Sequence, residues 1–65
     1  MRSVTEYRCY FLDHRHYVVA SATITCDTDD KARKLAEGLL RASAHRAVEV
    51  WVGKRQVHEA KKSST

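Results

Sequence analysis

Residues 4–25 read VTEYRCYFLDHRHYVVASATIT, and how this stretch divides decides the fold. The segments 4–12 and 17–25 are rich in aromatic and β-branched side chains, which suit a pleated, half-buried surface. DHRH between them is a polar break. So short a connection makes the two strands antiparallel neighbours. Pairing Leu12 with Tyr17 sets Phe11 opposite Val18, Cys9 opposite Ala20, Tyr7 opposite Ala22 and Thr5 opposite Ile24. Opposed residues share a side of the sheet. One side therefore carries Tyr7, Cys9, Phe11, Val18, Ala20, Ala22 and Ile24, a core face whose alanines let a helix come close. A slip of one residue would set Cys9 and Phe11 against Tyr17, Val19, Ser21 and Thr23, a poorer core.

The helix follows at once. In CDTDDKARKLAEGLLRAS (26–43), Asp27 or Thr28 can cap the first turn. Asp29 and Asp30 place negative charge at the positive end of the helix dipole. Ala32, Leu35, Ala36, Leu39 and Leu40 follow the spacing of a half-buried helical stripe. Gly38 lies beside the stripe, as a close contact or a tolerated cost. RAVEVWV (46–52) alternates: Val48, Val50 and Val52 point toward the helix, and Ala47, Glu49 and Trp51 point away. GKRQVHEA (53–60) can turn back at Gly53–Lys54 into a short fourth strand. The expected fold is α+β, a two-layer sandwich of order ββαβ or ββαββ. Its sheet is antiparallel with the first strand in the middle, and one helix packs on one face.

Sixty-five residues hold one domain, expected over residues 1–60, with 61–65 a disordered basic tail. A chain this short buries only about 60% of the surface its unfolded form exposes, so it often leans on a partner subunit, a metal or disulfides. No apolar run could span a bilayer. The opening MRSVTEYRCYF lacks the apolar segment of a secretory signal, so the cytoplasm is the expected setting. Twelve Lys and Arg against eight Asp and Glu leave a net charge of +4 at pH 7, which permits anion binding without demanding it.

The register that builds the core also says what it leaves out. Arg8, Tyr10, Leu12, Tyr17, Val19, Thr23, Glu49 and Trp51 fall on the helix-free side. Tyr10, Leu12, Tyr17, Val19 and Trp51 make a contiguous apolar patch, and burying one large side chain stabilises by about 1.5–3 kcal/mol. These five are the candidate partner-binding residues, and a second copy is the expected partner, giving a symmetric dimer. A half-wet patch with Arg8 and Arg15 lying over the rings is the plainer alternative. A single-stranded nucleic acid is the rival partner: Tyr10, Tyr17 and Trp51 could stack bases inside a rim of Arg8, Arg15, Arg46, Lys54 and Arg55. Glu49 beside Trp51 opposes it.

Chemistry is sparse. Cys9 and Cys26 are the only cysteines. Cys26 pairs with Ser3 in this register, about 20 Å along the strands from Cys9 at ~3.3 Å per residue, so no disulfide is expected. Cys9 reads as a small core residue. Cys26 lies at a helix start, which favours a thiolate, but Asp27, Asp29 and Asp30 counter that. His14 and His16 lie together at the hairpin turn; zinc asks for four ligands, and no spacing supplies the rest. With two glycines and no proline there is no phosphate-cradling loop. No catalytic residue, cofactor or small-molecule substrate is indicated, and a non-enzyme is expected.

YRCYFLD, ITCDTDDKARKLAEGLL and AVEVWVGKRQV together cover most of residues 7–57. They resemble a group of small uncharacterised proteins of rhizobia and related alphaproteobacteria that run YR-YFLD, an acidic helix start, and AVEVW-G-R-V. The resemblance implies a bacterial, cytoplasmic setting and no mechanism. HRH stands where that group would carry an Asp-Gly-type turn. A weaker similarity, in the tyrosine-rich strand and acidic-capped helix, runs to HicB-like antitoxins. It implies a regulator that masks a toxin or binds a target, although their Pro-Gly-Cys segment is missing here.

Overall fold

The hairpin holds its shape through one carboxylate. In the computed structural model, which describes residues 4–62, Asp13 Oδ1 accepts from the backbone N–H of Arg15 at 2.8 Å and of Tyr17 at 3.1 Å. Asp13 N–H donates to Tyr17 O and His16 N–H to Asp13 O. His16 takes the left-handed conformation, φ 67°, which histidine tolerates better than most side chains. This is a three-residue hairpin loop ending in a left-handed residue. On either side of it run β1 (Thr5–Leu12) and β2 (Val18–Cys26).

The loop geometry moves the register by two residues from the expected one. Thr5 pairs with Cys26, Tyr7 with Ile24, Cys9 with Ala22 and Phe11 with Ala20, while a bulge sets Leu12 against Val18. An even shift keeps every side chain on its face, so Tyr7, Cys9 and Phe11 are buried and Ala20, Ala22 and Ile24 pack on them. Val18 is the exception. The bulge pairs it with Leu12 instead of Phe11, and it stays exposed.

The helix α1 (Asp29–Arg41) starts at Thr28, whose Oγ1 accepts from Lys31 N–H at 3.2 Å. Then come β3 (Ala47–Val52) and β4 (Arg55–Lys61), turning at Gly53 with φ 59°. The sheet order is β2-β1-β3-β4, with every neighbour antiparallel. The ββαββ form of the expected α+β fold is the observed one, with β1 inside the sheet and α1 on one face. Val48 and Val50 are fully buried under α1, beside Phe11 and Cys9. β4 runs through Lys61, and Lys62 N–H donates to Arg46 O at 2.7 Å. The strand thus takes up the start of the expected tail; residues 63–65 of that tail lie outside the described residues, as does Ser3.

The helix is rotated relative to the expected stripe. Ala32, Ala36 and Leu40 are buried, but Leu35 is 50% and Leu39 41% exposed. The small residues let α1 sit close to the sheet and turn the two leucines out to its flank. Gly38 has nothing within 4 Å of where a Cβ would stand, so it marks no close contact. Gly38→Ala is therefore expected to stabilise the fold by about 0.5–1 kcal/mol, read as a higher urea midpoint with unchanged slope.

Candidate interaction surface

Three rows of paired residues build the helix-free face. Across β2, β1, β3 and β4 they run Thr23–Arg8–Trp51–Gln56, then Ser21–Tyr10–Glu49–Glu59, then Val18–Leu12–Ala47–Lys61. Trp51 Nε1–H donates to Glu49 Oε1 at 3.1 Å, which lays the indole along its own strand. Tyr10 and Trp51 lie on this face in adjacent rows, and both are half-buried. Leu12 is not available to a partner. It is 3% exposed, beside the equally buried Ala47, because the bulge and the return of Arg46 N–H to Leu12 O close that corner. Tyr17 leaves the strand for the loop, where its N–H and C=O both serve the turn, and its side chain is exposed. Val19 is the extra residue of the bulge and is exposed beside Val18.

The large apolar side chains left in water therefore do not centre on the aromatic face. They are Val4, Tyr17, Val18, Val19, Leu35 and Leu39, a set gathered around β2 and the helix flank above it. Leu35 lines an open groove with Val4, Thr25 and Cys26. The opposite flank of α1 is closed toward β4 by Glu37 Oε2, 2.9 Å from His58 Nε2. Sequence reasoning takes His58 for a plain surface residue; only the β3–β4 register brings it under the helix.

The charges divide as well. Glu49 and Glu59 are paired neighbours in the middle of the helix-free face. Arg46 lies at one end of β3 and Lys54 and Arg55 at the other, while Arg15 sits at the hairpin tip. Arg8 lies exposed within the face, beside Trp51, so the five expected basic residues are spread around and across a face whose middle carries Glu49 and Glu59.

Among the described residues, each titratable group with a displaced pKa has a structural cause. The backbone N–H of Tyr17, then that of Arg15, holds the Asp13 carboxyl below its usual value. The Lys31 ammonium does the same for Asp27, 3.1 Å away. Tyr7 Oη–H donates to Asp29 Oδ1 at 2.5 Å, and that bond, with burial, raises the phenol pKa. Burial pushes the Cys9 thiol up, which makes it a poor nucleophile. Both cysteines are free and buried. His14 and His16 are exposed in the turn, and among the described residues no group of three or more ligating side chains converges on a point. No helix among those residues is long and apolar enough to cross a membrane.

No protein-family model, curated protein or solved structure matches the chain.

Proposed function

We propose that this chain is a non-catalytic bacterial protein of the cytoplasm, a scaffold or regulator that works as a homodimer. One observation carries the reading: Tyr17, Val18 and Val19 at the start of β2, and Leu35 and Leu39 on the helix flank beside it, leave large apolar side chains in water along one edge of the sheet. Isolated apolar side chains on a surface are ordinary, whereas several along one edge of a small sheet suit a docking site. A chain of this size has little stability to forgo, and a second copy is the usual remedy.

The acidic pair Glu49 and Glu59 weighs against nucleic acid as the partner, because it would face phosphates from between Tyr10 and the β4 edge. Size-exclusion chromatography with light scattering, from low to hundred-micromolar concentration, tests the reading. The expected mass is twice that of one chain at the upper end. A single-chain mass throughout would end it.

A further inference from the structure

We propose that the second copy pairs along the free edge of β2, antiparallel about a twofold axis, so that two four-stranded sheets become one continuous sheet. The inference rests on the self-association reading above and specifies its geometry.

The two edges of the sheet are built differently. β2 and β4 are the outer strands, and each presents a row of backbone N–H and C=O groups on its outer side. Sheet proteins guard such edges with charge, proline or bulges, because a bare edge is a template for another strand. β4 has these guards: Arg55, His58, Glu59 and Lys61 lie along it, and its register with β3 is broken by a bulge between Val50 and Trp51. β2 reads VVASATITC, with no charge and no proline. Its own bulge, at Val19, is confined to the hairpin end, and its pairing with β1 is regular from Ala20 to Cys26. The unguarded edge is also the one where the exposed apolar side chains gather.

The helix layer matches. Glu37 on one flank of α1 holds His58 of β4, so Leu35 and Leu39 stand on the other flank, above β2. Ala20 and Ala22 beneath them are only half-buried. A joint centred on Ala22 would set Ala20 opposite Ile24, Ser21 opposite Thr23 and Val19 opposite Thr25 across the two copies. No charge is buried in any of these pairs. Leu35 and Leu39 from both copies then converge over the small alanines, and each leucine loses the water that now covers it.

Charge selects a second copy of this chain, and the antiparallel sense. Arg15 precedes β2, in a turn it shares with Asp13, and Asp29 follows β2; among the described residues neither Arg15 nor Asp29 has an ion-pair partner within the chain. Antiparallel pairing centred on Ala22 brings Arg15 of each copy toward Asp29 of the other, whereas parallel pairing would set Arg15 beside Arg15. Lys31 and Arg33 already hold Asp27 and Asp30, so this attraction orients the encounter more than it tightens the complex. The contact is a strip about 30 Å long at ~3.3 Å per residue, toward the small end of stable interfaces. A dimer that dissociates on dilution is expected.

The test is Ser21→Glu with Thr23→Glu. Both positions are exposed on the helix-free face. In the single chain the new carboxylate at position 23 would stand beside Arg8, so the fold should survive. At the joint the same change sets like charges directly opposite one another, which should weaken self-association about tenfold or more. Light scattering is read for this variant, for Trp51→Glu on the aromatic face and for the natural chain. Loss of the dimer in the double variant alone, with the far-ultraviolet circular dichroism unchanged, supports edge pairing. A dimer that survives the double variant and falls apart with Trp51→Glu overturns edge pairing while leaving self-association standing. A natural chain that never exceeds one-chain mass ends both. If the double variant does not fold, amide hydrogen exchange of the natural chain decides. Protection of β2 that rises with concentration supports the edge joint, and concentration-independent exchange in β2 of a chain shown to dimerise overturns it.

Discussion

Tyr7→Ala should leave the chain largely unfolded, or at the foot of its unfolding transition, at room temperature without denaturant. Tyr7 is the largest of the fully buried side chains, 2% exposed, and it packs among Cys9, Cys26 and Ile24 on the face that α1 covers. Truncating a buried aromatic to alanine costs about 3–5 kcal/mol. A 65-residue domain holds about 3–10 kcal/mol in total at the usual ~0.05–0.15 kcal/mol per residue, so one such loss consumes most or all of it. Tyr7→Phe separates the ring from its hydroxyl. It removes the bond to Asp29, but Asp29 is exposed and regains water, so the expected loss is about 0.5–1.5 kcal/mol. Urea unfolding followed by Trp51 fluorescence measures both. A Tyr7→Ala transition within about 1 kcal/mol of the natural one would mean that the core is not centred where Tyr7 lies.

Alkaline pH probes the same residue. The bond to Asp29, and then burial, raise the phenol pKa in the folded chain. The unfolded chain titrates near pH ~10, so the stability tied to the neutral phenol is complete below that value. It is lost as the pH climbs through the higher folded value. Tyr7→Phe should abolish this part of the alkaline loss and leave the part that the buried Cys9 thiol contributes.

The strand pattern was legible in the sequence because alternation survives any even shift. Tyr7, Cys9 and Phe11 face the helix whether they pair with Ala22, Ala20 and Val18 or, as observed, with Ile24, Ala22 and Ala20. The register itself was not legible, since it hangs on a left-handed His16 where a reader looks for glycine, and on two hydrogen bonds to one carboxylate. That same turn withdrew Tyr17 from the strand and, through the bulge, buried Leu12, so two of the five expected partner residues changed character. The guarded and unguarded edges were both written in the chain, as charges in RQVHEAK and their absence from VVASATITC. They acquire meaning only when β2 and β4 are known to be the outer strands. Strand order is a long-range property, settled by which neighbours cover β1.

The helix supplies the sharpest contrast between adjacent residues. Ala36→Glu should abolish folding, and Leu35→Glu should leave it nearly untouched. By hydrophobicity alone the opposite would be expected, because leucine has far more apolar surface to lose. Ala36, however, is 0% exposed and sits against the sheet with Ala32 and Leu40, while Leu35 is 50% exposed on the flank. A glutamate at 36 must enter a space shaped for a methyl group, where overpacking alone costs about 1–3 kcal/mol. Its carboxylate would also be buried without a partner, which adds several kcal/mol or drives the helix off the sheet. At 35 the carboxylate stays in water, and surface changes of this kind usually move stability by no more than about 0.5 kcal/mol. Circular dichroism and urea midpoints on the two variants read the difference directly. Comparable damage from both would mean that α1 is rotated about its axis from the orientation described. Leu35→Glu carries a second readout. With the fold intact it should lower self-association, because each copy would bring a carboxylate into the strip above Ala22, where only apolar contacts fit.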